Sequence, residues 1–268
     1  MSPPHSFIGV AIGLLPFASG WGACFAAWFV AFEALKLRRN GLLGTAMMLG
    51  AAGLAAGAGV WAQPSLVAGW PTAFHVDPLM TLAALAAMVA AAVWGLAIER
   101  LYPDARGLIG GGAILGAGVA LSHGLLFSSL QGPTEIDFGS TPVATAMALA
   151  SVMAVGGLMV RRRRPGRFGQ LAAVVCLTAA TSVSQGVERA AMTLASGLQP
   201  LAGATLPASA LTPIAGVVIV VMLAAIAFLA SVVEIRPATT ARAWRGSSPP
   251  SPSPSPTGTG SPRPAPSR

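Results

Sequence analysis

The sequence is short of charge and of the residues that build catalytic or metal centres. Only 9% of its 268 residues are charged, against about 25% in a soluble domain, which excludes an ordinary water-facing fold. Acids are scarcest, eight against 16 Lys and Arg. Asp77, Glu135 and Asp137 have no His-rich partner set around them in the chain. Paired-acid or metal-assisted catalysis would need one, so the protein is expected not to be an enzyme. The two cysteines, Cys24 and Cys176, both fall inside apolar runs. They exclude a disulfide framework and read as buried small hydrophobes. The alternating ten-residue segments of a β-barrel are missing as well.

Long apolar runs take the place of charge. Hydrophobic residues make up 54% of the chain, gathered in seven stretches at about Phe7–Leu35, Gly41–Ala62, Leu79–Ile98, Gly107–Leu130, Thr141–Val160, Phe168–Leu194 and Leu211–Ile235. A bilayer-spanning helix needs roughly 20 apolar residues and satisfies its backbone internally. The expected fold is an all-α integral membrane protein with seven transmembrane helices. The first run has no basic residue before it and is too long for a signal-peptide apolar region, so it reads as a span.

The net charge of +8 could suggest nucleic acid, but its placement points to a membrane. Lys36, Arg38 and Arg39 follow the first stretch, and Arg100 and Arg106 the third. Arg161, Arg162, Arg163, Arg164 and Arg167 follow the fifth, and the tail carries five more arginines. Arg189 alone stands elsewhere. The positive-inside rule therefore places the N-terminus outside and the C-terminus in the cytoplasm of a multi-pass cell-membrane protein. No nucleic-acid partner is expected; basic residues on an inner face orient the chain and meet lipid.

Residues 1–6 form a short external segment, 7–235 the membrane domain, and 236–268 a Pro/Ser-rich tail with Ser-Pro repeats. Such a tail is expected to be disordered and cytoplasmic, with no output domain after it. The membrane domain parses as one helix plus three repeated helical hairpins. Gly-Ala-Gly-Val occurs at Gly57–Val60 and again 59 residues later at Gly116–Val119. Each copy runs into a polar spot, and at about that offset again the chain reads Ser182-Val183-Ser184-Gln185. A fixed period with polar residues at one point of the unit suggests internal duplication. Gly53/Gly57 and Gly112/Gly116 are also Gly-x-x-x-Gly pairs, suited to close helix contact.

Polar side chains inside spans are expensive, and each is a functional candidate. Three outgoing helices end in them: Gln63 and Ser65 on the first; Ser122, His123, Ser128 and Ser129 on the second; Ser184, Gln185, Glu188 and Arg189 on the third. Ser184 and Gln185 share a helical face with Glu188. Arg189 sits about 100° away and can snorkel to water. The candidate ligand-binding set is His123, Ser122, Gln63, Ser184, Gln185, Glu188 and Arg189. His123 reads either as a metal ligand or proton-responsive group, or as a helix-to-helix hydrogen bond with Gln185 or Glu188. His75 and Asp77 either fold over the site or stand in a solvated loop. The scattered methionines read as core filler, and Trp61 and Trp70 as an interfacial aromatic belt.

These features resemble the MHYT domain of bacterial seven-span membrane sensors. Gly57-Ala-Gly-Val-Trp61 is similar to the lead-in of the family's first motif, and Val76-Asp77-Pro78-Leu79-Met80-Thr81-Leu82 to the segment opening its next helix. Ser122-His123-Gly124-Leu125 and Ser184-Gln185-Gly186-Val187 stand at the second and third motifs. The resemblance covers roughly residues 6–236. It implies a sensory or regulatory role for a small ligand or metal held in the outer half of the bundle. It further implies copper bound through motif Met and His, and a separate cytoplasmic signalling partner. Only His123 keeps a motif histidine; Gln63 or Pro64 and Gln185 stand at the other two, and no motif Met remains. A small-molecule transporter or channel is the alternative reading.

Overall fold

The computed structural model describes residues 7–36, 41–67, 74–132, 135–138, 140–195 and 205–226. The expected N-terminal segment 1–6, the Pro/Ser-rich tail 236–268, the last residues of the seventh stretch and Trp70 lie outside the described residues. Seven helices are long and apolar enough to cross a membrane, as the apolar runs predict. They are α1 (Phe7–Ala34), α2 (Leu42–Val67), α3 (Pro78–Leu101), α4 (Ala105–Ser128), α5 (Ser140–Arg163), α6 (Arg167–Ala191) and α7 (Ala208–Ile226). The described residues form an all-α fold with no sheet core.

Each helix from α1 to α6 packs on its chain neighbour, and α1 meets α6 to close the ring. The glycine pairs set two of these contacts. A side chain at Gly53 or Gly57 would run into Val93 or Val89 of α3, and one at Gly112 or Gly116 into Val155 or Ser151 of α5. In both cases the earlier glycine meets the later residue, as antiparallel neighbours require. The repeat therefore recurs as the same close approach within two successive hairpins, where backbone proximity replaces side-chain volume. Trp28, Phe32, Met88, Leu96, Leu115 and Leu158 fill the middle of the bundle.

Short strands tie the loops together at one end, which apolar periodicity did not foretell. β1 (His75–Val76) lies between β2 (Leu130–Gln131) and β5 (Leu206–Pro207), all antiparallel. These come from the loops after α2, α4 and α6, one strand from each. β3 (Glu135–Phe138) pairs with β4 (Met192–Ala195) from two of the same loops. We call this the strand end. The opposite end holds Lys36, Arg100, Arg106, Arg161–Arg164 and Arg167, and is called the arginine end. Turns there are tight: Gly41 and Gly166 have φ of 91° and 123°, conformations that glycine adopts without strain.

Helix starts follow capping chemistry. Asp77 caps α3, accepting from the Leu79 and Met80 amides at 2.8 and 3.2 Å, with Pro78 at the first helical position. Asp104 caps α4 through the Arg106 and Gly107 amides. Asp77 is thus a structural cap, and His75 a strand residue, rather than parts of a freely solvated loop. Trp61 also departs from its expected place. It is 3% exposed and donates to the Thr81 carbonyl at 3.1 Å, packing beside Val76, Leu126 and Leu211 under the three-stranded sheet. An indole needs one acceptor when buried, and the first turns of α3 supply it.

Candidate functional site

The helices α2, α4 and α6 all run from the arginine end to the strand end, and each pair of them touches. Their strand-end halves carry the polar residues that the sequence singles out. Gln63, Ser65, Ser122, His123, Ser184, Gln185 and Glu188 are all buried, none more than 4% exposed. Side chains of this kind are seldom fully buried, so their concentration at one level defines a polar layer.

The structure brings several of them into contact. His123 Nδ1 lies 3.6 Å from Glu188 Oε2, joining α4 to α6. Ser184 Oγ reaches Glu188 Oε1 at 3.5 Å along the same face of α6. Gln63 Nε2 donates to Ser182 Oγ at 2.6 Å, joining α2 to α6. The ring of Phe127 stands edge-on to the imidazole, with centroids 6.4 Å apart. Ser122 and Gln185 are buried, but Ser122 Oγ and Gln185 Nε2 have no hydrogen-bond partner. Arg189 is half-buried and within electrostatic range of His123.

Two serines leave the layer. Ser128 is exposed and donates back to the Gly124 carbonyl at 2.7 Å. Ser129 joins the capping network instead: its carbonyl accepts from the Asp77 amide at 2.9 Å, and its hydroxyl donates to the Leu126 carbonyl.

Proline 64 gives the layer an acceptor. The apolar stretch was expected to end at Ala62, yet α2 continues through Pro64 to Val67. Proline has no N–H, so the carbonyl four residues earlier loses its helical partner. That carbonyl belongs to Val60, and it faces the His123 imidazole. Spanning helices tolerate such a proline because a neighbouring group re-satisfies the freed carbonyl. Neither imidazole nitrogen closes to full hydrogen-bond geometry.

Sequence reasoning missed part of α6. Thr178, Thr181 and Ser182 extend the polar face, with Cys24 Sγ 3.8 Å from Thr181 Oγ1. Thr178, Thr181, Ser182 and Gln185 stand at i, i+3, i+4 and i+7, the spacing of one helical face. That stripe is the signal that would have found them. Ser182 also lies two 59-residue steps after Pro64, with His123 at the step between.

The donor set does not fit copper. Among the described residues no three His, Cys, Asp or Glu side chains gather as a metal site. The layer offers one imidazole and one carboxylate with hydroxyls and amides, whereas copper favours imidazole with soft sulfur ligands. Both cysteines are free thiols.

What the layer offers is unmatched hydrogen bonding. Gln63 Oε1, Ser65 Oγ, Ser122 Oγ, both His123 nitrogens, Gln185 Nε2 and Glu188 Oε2 are buried without a hydrogen-bond partner. Each such group costs about 1–3 kcal/mol, so the layer is strained toward accepting polar contacts. Comparison with family models, curated proteins and solved structures finds no match.

Proposed function

We propose that this chain is a membrane sensor or regulator resembling the MHYT sensors in architecture. It binds a small polar ligand, rather than copper, in the layer between α2, α4 and α6. The strand end faces outward, and the arginine end and tail face the cytoplasm, following the charge bias. The carrying observation is the set of seven polar atoms without a hydrogen-bond partner, on three helices, at the level marked by the repeat. A ligand with both donors and acceptors would meet Gln185 Nε2 and Glu188 Oε2 together. Its binding would alter how α4 and α6 meet through His123 and Glu188. Those helices continue to the arginine end, where a separate cytoplasmic partner would read the change. Binding of this kind needs no bond-making step, so the proposal is of a binding protein and not an enzyme.

The test uses the full chain in nanodiscs, wild type beside His123→Ala. Both are screened by thermal shift against a panel of small polar solutes and against copper. A solute that stabilises the wild type and not the variant supports the reading. Stoichiometric copper lost on His123→Ala would replace it with metal sensing. Solute flux in proteoliposomes, abolished by the same substitution, would assign the layer to transport.

A further inference from the structure

The arginine end holds two clefts, of about 310 and 290 Å³, that share Arg161 as a wall. The larger is lined by Phe32, Leu35, Lys36, Arg161, Arg167 and the start of α6. The smaller adds Arg100 and Glu99. From this geometry we infer that the larger cleft is a binding site for the phosphate group of an anionic phospholipid.

Charge is the first argument. The described residues of this end carry eight cations and three acids, Glu33, Glu99 and Asp104. All three acids are already engaged. Glu33 pairs with Lys36 at 2.7 Å and accepts from Gln170 Nε2 at 2.8 Å. Glu99 takes Arg161 at 3.3 Å and Arg162 at 3.9 Å. Asp104 caps α4. The surplus is positive, and Arg167 makes no salt bridge among the described residues.

Preorganisation is the second. The Arg161 guanidinium lies 4.5 Å from the centre of the Phe32 ring and gives one nitrogen, Nη2, to Glu99. Held on two sides, it keeps its remaining donors for an oxyanion, and a planar guanidinium suits phosphate. Gly166 and Arg167 bring the start of the 25-residue α6 to the same cleft, where the helix dipole also favours an anion.

The third argument decides the source of the phosphate. The same cleft presents Phe32, Leu35 and Pro165 to its occupant, a surface that favours a group attached to hydrocarbon. Phe168, next to Arg167, is 87% exposed, and Leu42 and Leu43 are 92% and 77% exposed. Apolar side chains this open belong against lipid, so the cleft lies at the level where headgroups sit. Basic pockets between spanning helices are known to take such headgroups.

The experiment is native mass spectrometry of the full chain, counting retained lipid in three arms. These are phosphatidylglycerol, phosphatidylcholine, and phosphatidylglycerol with excess inorganic phosphate. The expected result is retention of phosphatidylglycerol over phosphatidylcholine, unaffected by inorganic phosphate. Arg167→Gln and Lys36→Gln should each weaken it by about tenfold or more, the loss of one charge-assisted contact. Arg163→Gln, outside the cleft, should match the wild type. Each variant is first checked for an unchanged melting temperature in detergent, so that loss of lipid is not loss of fold. Equal retention of both lipids, equal retention by all variants, or full competition by inorganic phosphate would each overturn the inference.

Discussion

The contact between His123 and Glu188 is the point at which the polar layer can be tested as a physical object. The two groups are 0% and 1% exposed and 3.6 Å apart, beyond the usual 2.7–3.2 Å of an N–H···O hydrogen bond. A neutral pair at that distance would couple weakly; interhelical hydrogen bonds in membranes average about 0.6 kcal/mol. A pair sharing one proton as imidazolium and carboxylate would attract by about 4–5 kcal/mol at an effective dielectric of about 20. Desolvation takes back part of that. Both arrangements leave the pair neutral overall, and burial weighs against either separate charge, so we expect the neutral imidazole beside the protonated carboxyl. His123→Leu or Glu188→Leu alone would leave one unmatched group in hydrocarbon and cost about 2–3 kcal/mol. The neutral pair predicts nearly additive costs in the double variant, with a coupling of about 0.6 kcal/mol, whereas an ionised pair would give about 2 kcal/mol or more. Reversible unfolding in mixed micelles at pH 7, followed by circular dichroism, measures the cycle. Glu188→Gln should keep most of the coupling, since it holds the shape and a neutral hydrogen-bonding group. A coupling above about 2 kcal/mol would refute the neutral pair.

Three further outcomes follow from the packing and the caps. Gly116→Ala places a methyl 2.6 Å from the Ala150 carbonyl carbon and should cost about 1–3 kcal/mol. Gly124→Ala in the same helix meets nothing within 4 Å and should stabilise by up to about 1 kcal/mol; equal signs in melting experiments would sink the close-approach argument. Asp77→Ala loses both cap bonds and should cost about 1 kcal/mol, read as a lower melting temperature. Pro64→Ala returns an N–H to the Val60 carbonyl, so the fold should hold while the His123 imidazole 15N shifts move; unchanged shifts would remove Val60 from the layer.

The spans were legible because hydrocarbon thickness imposes a length that composition reveals directly. Most of the layer was legible for a related reason: Gln63, His123 and Glu188 stand out against an apolar background. The strands were not, since β1, β2 and β5 have two residues each. Pairing between residues 54 and more positions apart, such as Val76 with Leu130, leaves no periodic trace. Pro64 misled because proline usually ends a helix in water, whereas a spanning helix can pass the freed carbonyl to its neighbour. Trp61 misled because the amphipathic ring that suits an interface also suits a core with one acceptor. Thr178 and Thr181 went unnoticed, and Ser182 was read only as part of the repeat, because small hydroxyl residues hide in spans by bonding their own helix, as Ser182 does to the Thr178 carbonyl at 3.2 Å.

The 59-residue register gives these residues a common logic. Pro64, His123 and Ser182 occupy one position in successive units, yet they supply different things. Pro64 frees a carbonyl, His123 brings an imidazole to it, and Ser182 accepts from Gln63 of the first unit. Three identical side chains at this position would have competed for the same partner. Three complementary ones leave each helix dependent on another, so a substitution in one unit cannot be made good by its repeats. With a single imidazole among the three positions, the layer lacks the repeated histidines that a metal cage would require. On the proposed reading, such a layer would take a neutral, hydrogen-bonding occupant rather than an ion.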